Sequence, residues 1–357
     1  MSNKFHLNAG QTKPNIIRRQ LLTRSAALPL AGVVGYGSSA IAQDATKTLN
    51  ISHQFPGGTI QAGDFRDRLC RKFAESVEKR TKGALKFQIY PGSSLMKTNA
   101  QFSAMRKGAL DISLFPMPYA GGEVPELNIG LMPALVSSYE QAAKWKTAEV
   151  GRMLTKVLED KGIILLSWVW QAGGVASRSK SIVLPEDAKG LKIRGGSREF
   201  DLMLKAAGAS VISLPSNEIY AAMQTGAMDA AYTSSTSFMS FKLEELAKAF
   251  TSARQKSYWF MLEPLMMSKQ IFDSLPKDQR DALMAAGAEM EKFGMDAAKD
   301  DDKTAALAYA RAGSKVSDVD ATVVDKWKAI ARDTAWKDYA EKNESCAALL
   351  KAAEKVS

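Results

Sequence analysis

The stretch "GLKIRGGSREFDLMLKAAGASVISLPSNEIYAAMQTGAMDAAYTS", Gly190 to Ser234, decides the fold. A short apolar run carries Arg194 into Gly195-Gly196, the pattern of a strand entering a tight turn. "SREFDLMLKAAGA" then places Phe200, Met203, Leu204 and Ala207 on one helical face and stops at Gly208. "SVISLP" reads as a second strand, Ser216 as the cap of a helix ending at Gly226, and "AMDAAYTS" as a third strand. Strands that alternate with helices imply βαβ units and a parallel sheet. In such sheets ligands sit beyond the carboxyl ends of the strands, where Arg194 falls. A guanidinium matches a carboxylate with two hydrogen bonds and stays charged when desolvated. The paired glycines let the backbone turn without a side chain beside it.

The same alternation extends outward. "TLNISHQFP" (48–56) and "ALKFQIYPG" (84–92) read as strands around a helix with Phe65, Leu69, Phe73 and Val77 at fourfold spacing. "NAQFSAMRKGA" reads as a short helix, "LDISLFPMP" as a strand, Tyr139 to Lys161 as one long helix, and "GIILLSWVW" as a further strand. From Pro276 onward the pattern is mostly helical, with Asp300–Asp302 as a solvated helix face. The sixteen methionines fall at helical spacing and read as core.

The first 42 residues have the anatomy of an export signal. Arg18 and Arg19 precede an apolar small-residue run, and Ala40-Ile41-Ala42 gives a small-x-small cleavage pattern before Gln43. The paired arginines favour the twin-arginine route, with Sec export as the alternative. Removal leaves about 315 residues, enough for two domains. It also removes five basic and no acidic residues, which halves the formal charge of +10 and weakens a nucleic-acid reading. No later run reaches the ~18 apolar residues of a membrane span, so a periplasmic, soluble mature chain is expected. Cys70 and Cys346 read as idle thiols. His6 and His53 are too few for a histidine metal site or a Ser-His-Asp triad, so neither catalytic residues nor a cofactor is expected.

From Thr48 to about Leu350 the chain resembles the solute-binding proteins of tripartite ATP-independent periplasmic (TRAP) transporters. The resemblance rests on Lys192-Ile193-Arg194, Pro215, Glu218, Tyr220, Gln224-Thr225-Gly226 and Asp229, and on "MRKGALDISLFP". It implies an α/β fold of two lobes with a cleft between them, a long connecting helix and a helical C-terminus. It further implies lobe one at 44–174 plus 254–300, and lobe two with the C-terminal helices at 175–253 plus 301–357. One departure stands out: Thr233 occupies a position where the family often has an asparagine that reaches the ligand.

The implied role is an extracytoplasmic receptor that closes over a small organic acid and passes it to TRAP permease subunits, as a monomer or dimer. Arg194 is the expected carboxylate anchor, Arg178 a second arginine and Thr233 a polar contact. Tyr119, Trp170, Tyr258, Trp259, Thr236 and Phe238 are candidate cleft walls, while Glu218 and Tyr220 read as structural. Thr233 and these aromatics lean toward a monocarboxylate with an apolar or aromatic body. A secreted enzyme acting on a small acid, or a binder of a neutral polyol or amine, are the alternatives. Replacing Arg18 and Arg19 together by lysine is expected to strand precursor in the cytoplasm, seen by fractionation; unchanged yield outside would assign export to Sec.

Overall fold

The computed structural model describes residues 46–356, so the expected export segment lies outside the described residues. Two mixed sheets carry the fold. The first runs in the order Leu85–Tyr90, Lys47–Ser52, Ile112–Leu114, Leu265–Ser268, Ile163–Ser167, and only Leu265–Ser268 is antiparallel to its neighbours. The second runs Lys315–Asp318, Ala249–Ser252, Trp170–Ser177, Ala230–Ser234, Lys192–Arg194, Ser210–Val211. Trp259–Leu262 pairs with the first half of Trp170–Ser177.

The chain passes from the first sheet to the second at Trp168-Val169 and returns at Glu263-Pro264. The Glu263 N–H donates to the Val169 carbonyl at 2.8 Å, which ties the two passages together. Both passages fall within the ranges 44–174 and 254–300 expected for lobe one.

Amphipathic spacing does what the sequence suggested in the first helix, Phe65–Arg80. Phe65, Leu69, Phe73 and Val77 are each at most 2 % exposed. Each such burial contributes about 1.5–3 kcal/mol. Asp64 caps this helix by accepting from the Arg66 N–H at 2.9 Å.

The longest element is Lys277–Arg311, 35 residues and therefore about 52 Å at 1.5 Å per residue. It packs on the first helix and on strand Ile163–Ser167. Farther along, it packs on the second-sheet strands Trp170–Ser177, Ala249–Ser252 and Lys315–Asp318. Gly287 makes this approach possible, because a Cβ there would stand 2.0 Å from the Leu166 carbonyl oxygen. Near the far end Tyr309 stacks on Phe250, with ring centroids 4.1 Å apart, in a separate core under the second sheet.

Several local expectations are corrected. Tyr139 to Lys161 is not one helix but Tyr139–Lys144, a tight turn, and Glu149–Asp160. Ala148 is extended (ψ 170°), and a Cβ on Gly151 would collide with the Trp145 carbonyl. "GIILLSWVW" divides at Trp168-Val169 into strands of different sheets, and "SVISLP" pairs only at Ser210–Val211. The helical C-terminus also contains the strand Lys315–Asp318, which completes the second sheet. The C-terminal helices reach both halves: Trp327 Nε1 donates to the Val183 carbonyl, Trp336 Nε1 to Pro133. Cys70 and Cys346 are free and buried.

The Asp300–Asp302 run is not simply solvated. Asp302 is 5 % exposed and accepts from Tyr139 Oη at 2.8 Å and from Ser235 Oγ. Burial pushes its carboxyl up to about 7, against the two hydroxyl donors. A group whose pKa folding raises takes up a proton on folding, so its contribution to stability falls as pH climbs from 3.8 to about 7. Asp302→Asn cannot ionise. Its melting temperature is expected to gain on that of the natural chain across this window and to level off above it. A difference that stays constant with pH would overturn this assignment.

Candidate functional site

Arg194 ends the strand Lys192–Arg194, which lies between Ala230–Ser234 and Ser210–Val211. Gly195 and Gly196 turn the chain, the latter at φ 105°, into the helix Arg198–Ala206 capped by Ser197. Both glycines are required by contact. A Cβ on Gly196 would lie 2.8 Å from Arg194 Nη1, and one on Gly195 would lie 2.6 Å from Asp201 Oδ1. Below the turn, Trp259 Nε1 donates to the Gly195 carbonyl at 2.9 Å.

The Arg194 side chain is held rigidly. Its Nε donates to the Leu214 carbonyl at 3.2 Å, Nη1 to the Tyr232 carbonyl at 2.8 Å, and Nη2 to Tyr119 Oη at 2.6 Å. Tyr119 follows a strand of the first sheet and also accepts from the Ser216 N–H at 3.0 Å. Having accepted twice, its own O–H remains a donor. Arg194 spends three of its five N–H bonds on these partners, which leaves one on each terminal nitrogen.

These groups open on a cavity of about 700 Å³, lined also by Asn99, Asn128, Asp201, Lys205 and Glu218. Asp201 accepts from the Gly195 N–H at 3.2 Å. Burial raises its carboxyl to about 6, and Arg194, that N–H and Lys205 hold it from rising further. Pro118, Leu202, Leu214 and Pro215 stand among these charged and polar groups, and Tyr119 is the one aromatic in the lining, so the several aromatic walls expected for an apolar ligand body are not gathered here. Glu218, expected to be structural only, faces this cavity.

A second cavity, about 570 Å³, lies against the long helix and is lined by Asp64, Asp296, Asp300, Asp301, Arg68 and Thr236. Its carboxylates make it hostile to an anion. Between the sheets sits a buried charge cluster. Arg66 forks onto Asp64 at 2.9 and 2.7 Å, and its Nη1 reaches Ser237 Oγ at 3.0 Å, Ser234 Oγ at 3.3 Å and Glu263 Oε2 at 3.4 Å. Its guanidinium also lies 3.6 Å over the Phe55 ring. Burial would raise the Asp64 pKa, but Arg66 outweighs it and the carboxyl ends below its ordinary value. Glu263, farther from Arg66, is left at about 7 by burial.

Of the residues expected from sequence, the structure joins Arg194 and Tyr119 directly. Thr233 is buried in Ala230–Ser234, paired opposite Gly174. Thr236 faces the acidic cavity and donates to Asp301 at 2.6 Å. Trp170 is buried edge-on against Trp145, and its Nε1 has no partner among the described residues. Tyr258 bonds Tyr232 Oη at 2.8 Å and stacks on Trp327, and Trp259 props the diglycine turn, so both support the site from within the core. Phe238 belongs to the core with Phe250 and Tyr309. Arg178 does not join Arg194. Its backbone pairs with Asp229 at the amino end of Ala230–Ser234, and its guanidinium lies beside Gly226.

Sequence reasoning passed over Gln54 and Gln171. Gln54 follows the carboxyl end of Lys47–Ser52, is 2 % exposed, and has both amide atoms unpartnered among the described residues. Gln171 donates to Glu263 while its Oε1 is unpartnered. A buried polar group left unmet costs about 1–3 kcal/mol, which marks these as candidate contacts for a bound molecule. The position of Gln54 past a strand end was a signal the sequence carried.

Residues 58–343 match the family described as bacterial extracellular solute-binding protein, family 7. A solute-binding protein of Albidiferax ferrireducens is 68 % identical over 339 residues, 95 % of this chain and 99 % of its own. A C4-dicarboxylate-binding periplasmic protein of Rhodobacter capsulatus is 30 % identical over 68 % of this chain and 73 % of its own. Among solved structures, a TRAP periplasmic solute-binding protein from Rhodoferax ferrireducens with bound malonate superposes with TM-score 0.86 at 71 % identity, covering 86 % of this chain and 98 % of that one.

Proposed function

The chain belongs to the bacterial extracellular solute-binding proteins of family 7, and from that premise we propose that its cleft receives a small organic acid held by Arg194 for hand-over to a TRAP permease. The observation that carries the reading is the fixed guanidinium. Arg194 has two uncommitted N–H donors at a cavity of about 700 Å³, with the free Tyr119 O–H beside them. Those donors suit a carboxylate, and donors already in place are not reordered when it binds. The malonate held by the Rhodoferax ferrireducens relative, a small dicarboxylate, supports the same chemistry.

Trapping follows from the contacts that span the two sheets. Tyr119 joins Arg194 and Ser216, Ser197 Oγ donates to the Leu131 carbonyl at 3.0 Å, and Arg66 reaches Ser234 and Ser237. A ligand bridging Arg194 and Tyr119 stabilises the arrangement in which these contacts are made and shifts the population toward it. His53, the histidine of the described residues, is wholly buried with Nε2 3.1 Å from Asp67, out of reach as a proton carrier.

Isothermal titration with malonate tests the anchor. Arg194→Ala is expected to weaken binding roughly 10²–10³-fold, from the ~2–5 kcal/mol lost with one partner of a desolvated charge pair, and Arg194→Lys to fall between. Because the same guanidinium satisfies the Leu214 and Tyr232 carbonyls, the Ala variant is also expected to melt a few degrees lower; affinity is read well below that range. Undiminished affinity in the Ala variant would remove Arg194 from the site. In solution scattering, malonate is expected to reduce the radius of gyration. A saturating ligand that leaves the curve unchanged would overturn the closure mechanism and leave the binding role standing.

A further inference from the structure

We propose that Asp201 makes the receptor selective for acids carrying a hydroxyl group next to the carboxylate, the carboxylate docking on Arg194 and the hydroxyl donating to Asp201. The inference rests on the Arg194 cavity being the ligand site.

Four observations lead to it. The turn at Gly195-Gly196 holds both charged groups: the Gly195 N–H holds Asp201 Oδ1 at 3.2 Å, and the Arg194 guanidinium packs on Gly196. A cation and an anion therefore flank two adjacent residues and open on one cavity. They form no ion pair with each other; Arg194 is satisfied by two carbonyls and a phenol. The carboxylate of Asp201 accepts a single hydrogen bond from the described residues and so keeps most of its acceptor capacity.

An acceptor beside a carboxylate anchor calls for a donor on the ligand, either an ammonium or a hydroxyl. The cavity wall decides between them. Arg198, Asp201 and Lys205 share one face of the helix at three- and fourfold spacing; Arg198 is forked onto Asp338, which leaves Arg194 and Lys205 as the cations without a carboxylate partner beside the one acid on this wall. An ammonium would meet that field at a cost, whereas a hydroxyl supplies the proton without charge. Glu218, also in the lining, offers a further acceptor to a second hydroxyl.

The test uses two pairs of acids that differ by one hydroxyl: malonate with hydroxymalonate, and succinate with L-malate. Each is titrated calorimetrically into the natural chain, Asp201→Asn and Asp201→Ala. The natural chain is expected to bind the hydroxy acid of at least one pair about tenfold or more tightly, the worth of one hydrogen bond to a charged group. In Asp201→Ala that ratio is expected to fall to about one while malonate itself binds more tightly, because a negative charge has left the cavity. Asp201→Asn, which keeps an acceptor and the Gly195 contact, is expected to lie between. No preference in the natural chain, or an Ala variant that loses both members of a pair alike, overturns the inference while leaving the carboxylate reading intact. Binding of neither member of either pair to the natural chain overturns the carboxylate reading itself.

Discussion

The buried Arg66 cluster is the interaction on which the rest of the molecule depends. One guanidinium from the first helix meets Asp64 beneath it, Glu263 at the return passage of the chain, Ser234 at the end of a central strand of the second sheet, and Ser237 in the helix that follows. Removing one partner of such a buried group costs about 3–5 kcal/mol, because the remaining charge has no water to turn to. The two passages of the chain and the start of the helix Ser235–Ser240 are thus fixed relative to each other at a single point. Burial raises the Glu263 carboxyl to about 7 while Arg66 holds that of Asp64 below its ordinary value, so Asp64 is the stronger of the two acids facing Arg66.

Around that point the cleft is electrostatically divided. The Arg194 cavity is lined by three cations against two carboxylates, Asp201 and Glu218, and the cavity on the long helix by four carboxylates against Arg68. The more positive lining suits an anion better than the more negative one. The charged turn at Gly195-Gly196 is the fine structure within that coarse field.

The parts of this arrangement that obey short-range rules were legible in the sequence. Arg194, its two glycines and the helix after them follow from periodicity and turn chemistry. The first helix buries the residues its spacing named. What could not be read depended on contacts distant in sequence. Asp302 looked like a solvated member of an acidic run until Tyr139, 163 positions away, supplied its partner. The long helix expected from Tyr139 failed at Ala148, because the apolar spacing of two short helices in register mimics one. Arg178 was expected from the family resemblance as a second arginine, and it stands just past the strand Trp170–Ser177. Its place at the amino end of the neighbouring strand is a matter of sheet register, which one sequence does not reveal. Tyr258 and Trp259 were aromatic enough to suggest a wall, but their polar tips are consumed by Tyr232 and the Gly195 carbonyl.

The position of Leu265–Ser268 in the first sheet has a consequence for how the chain assembles. This strand lies between Ile112–Leu114 and Ile163–Ser167, both of which are synthesised about a hundred or more residues earlier. Until it arrives, two apolar strands present unpaired edges to one another across an empty slot, the kind of edge that recruits other chains. The first sheet therefore cannot close until residues 265–268 have emerged. It waits for nearly the whole second sheet to be made, and the nascent protein spends that interval as a client for whatever shields exposed strands in its compartment.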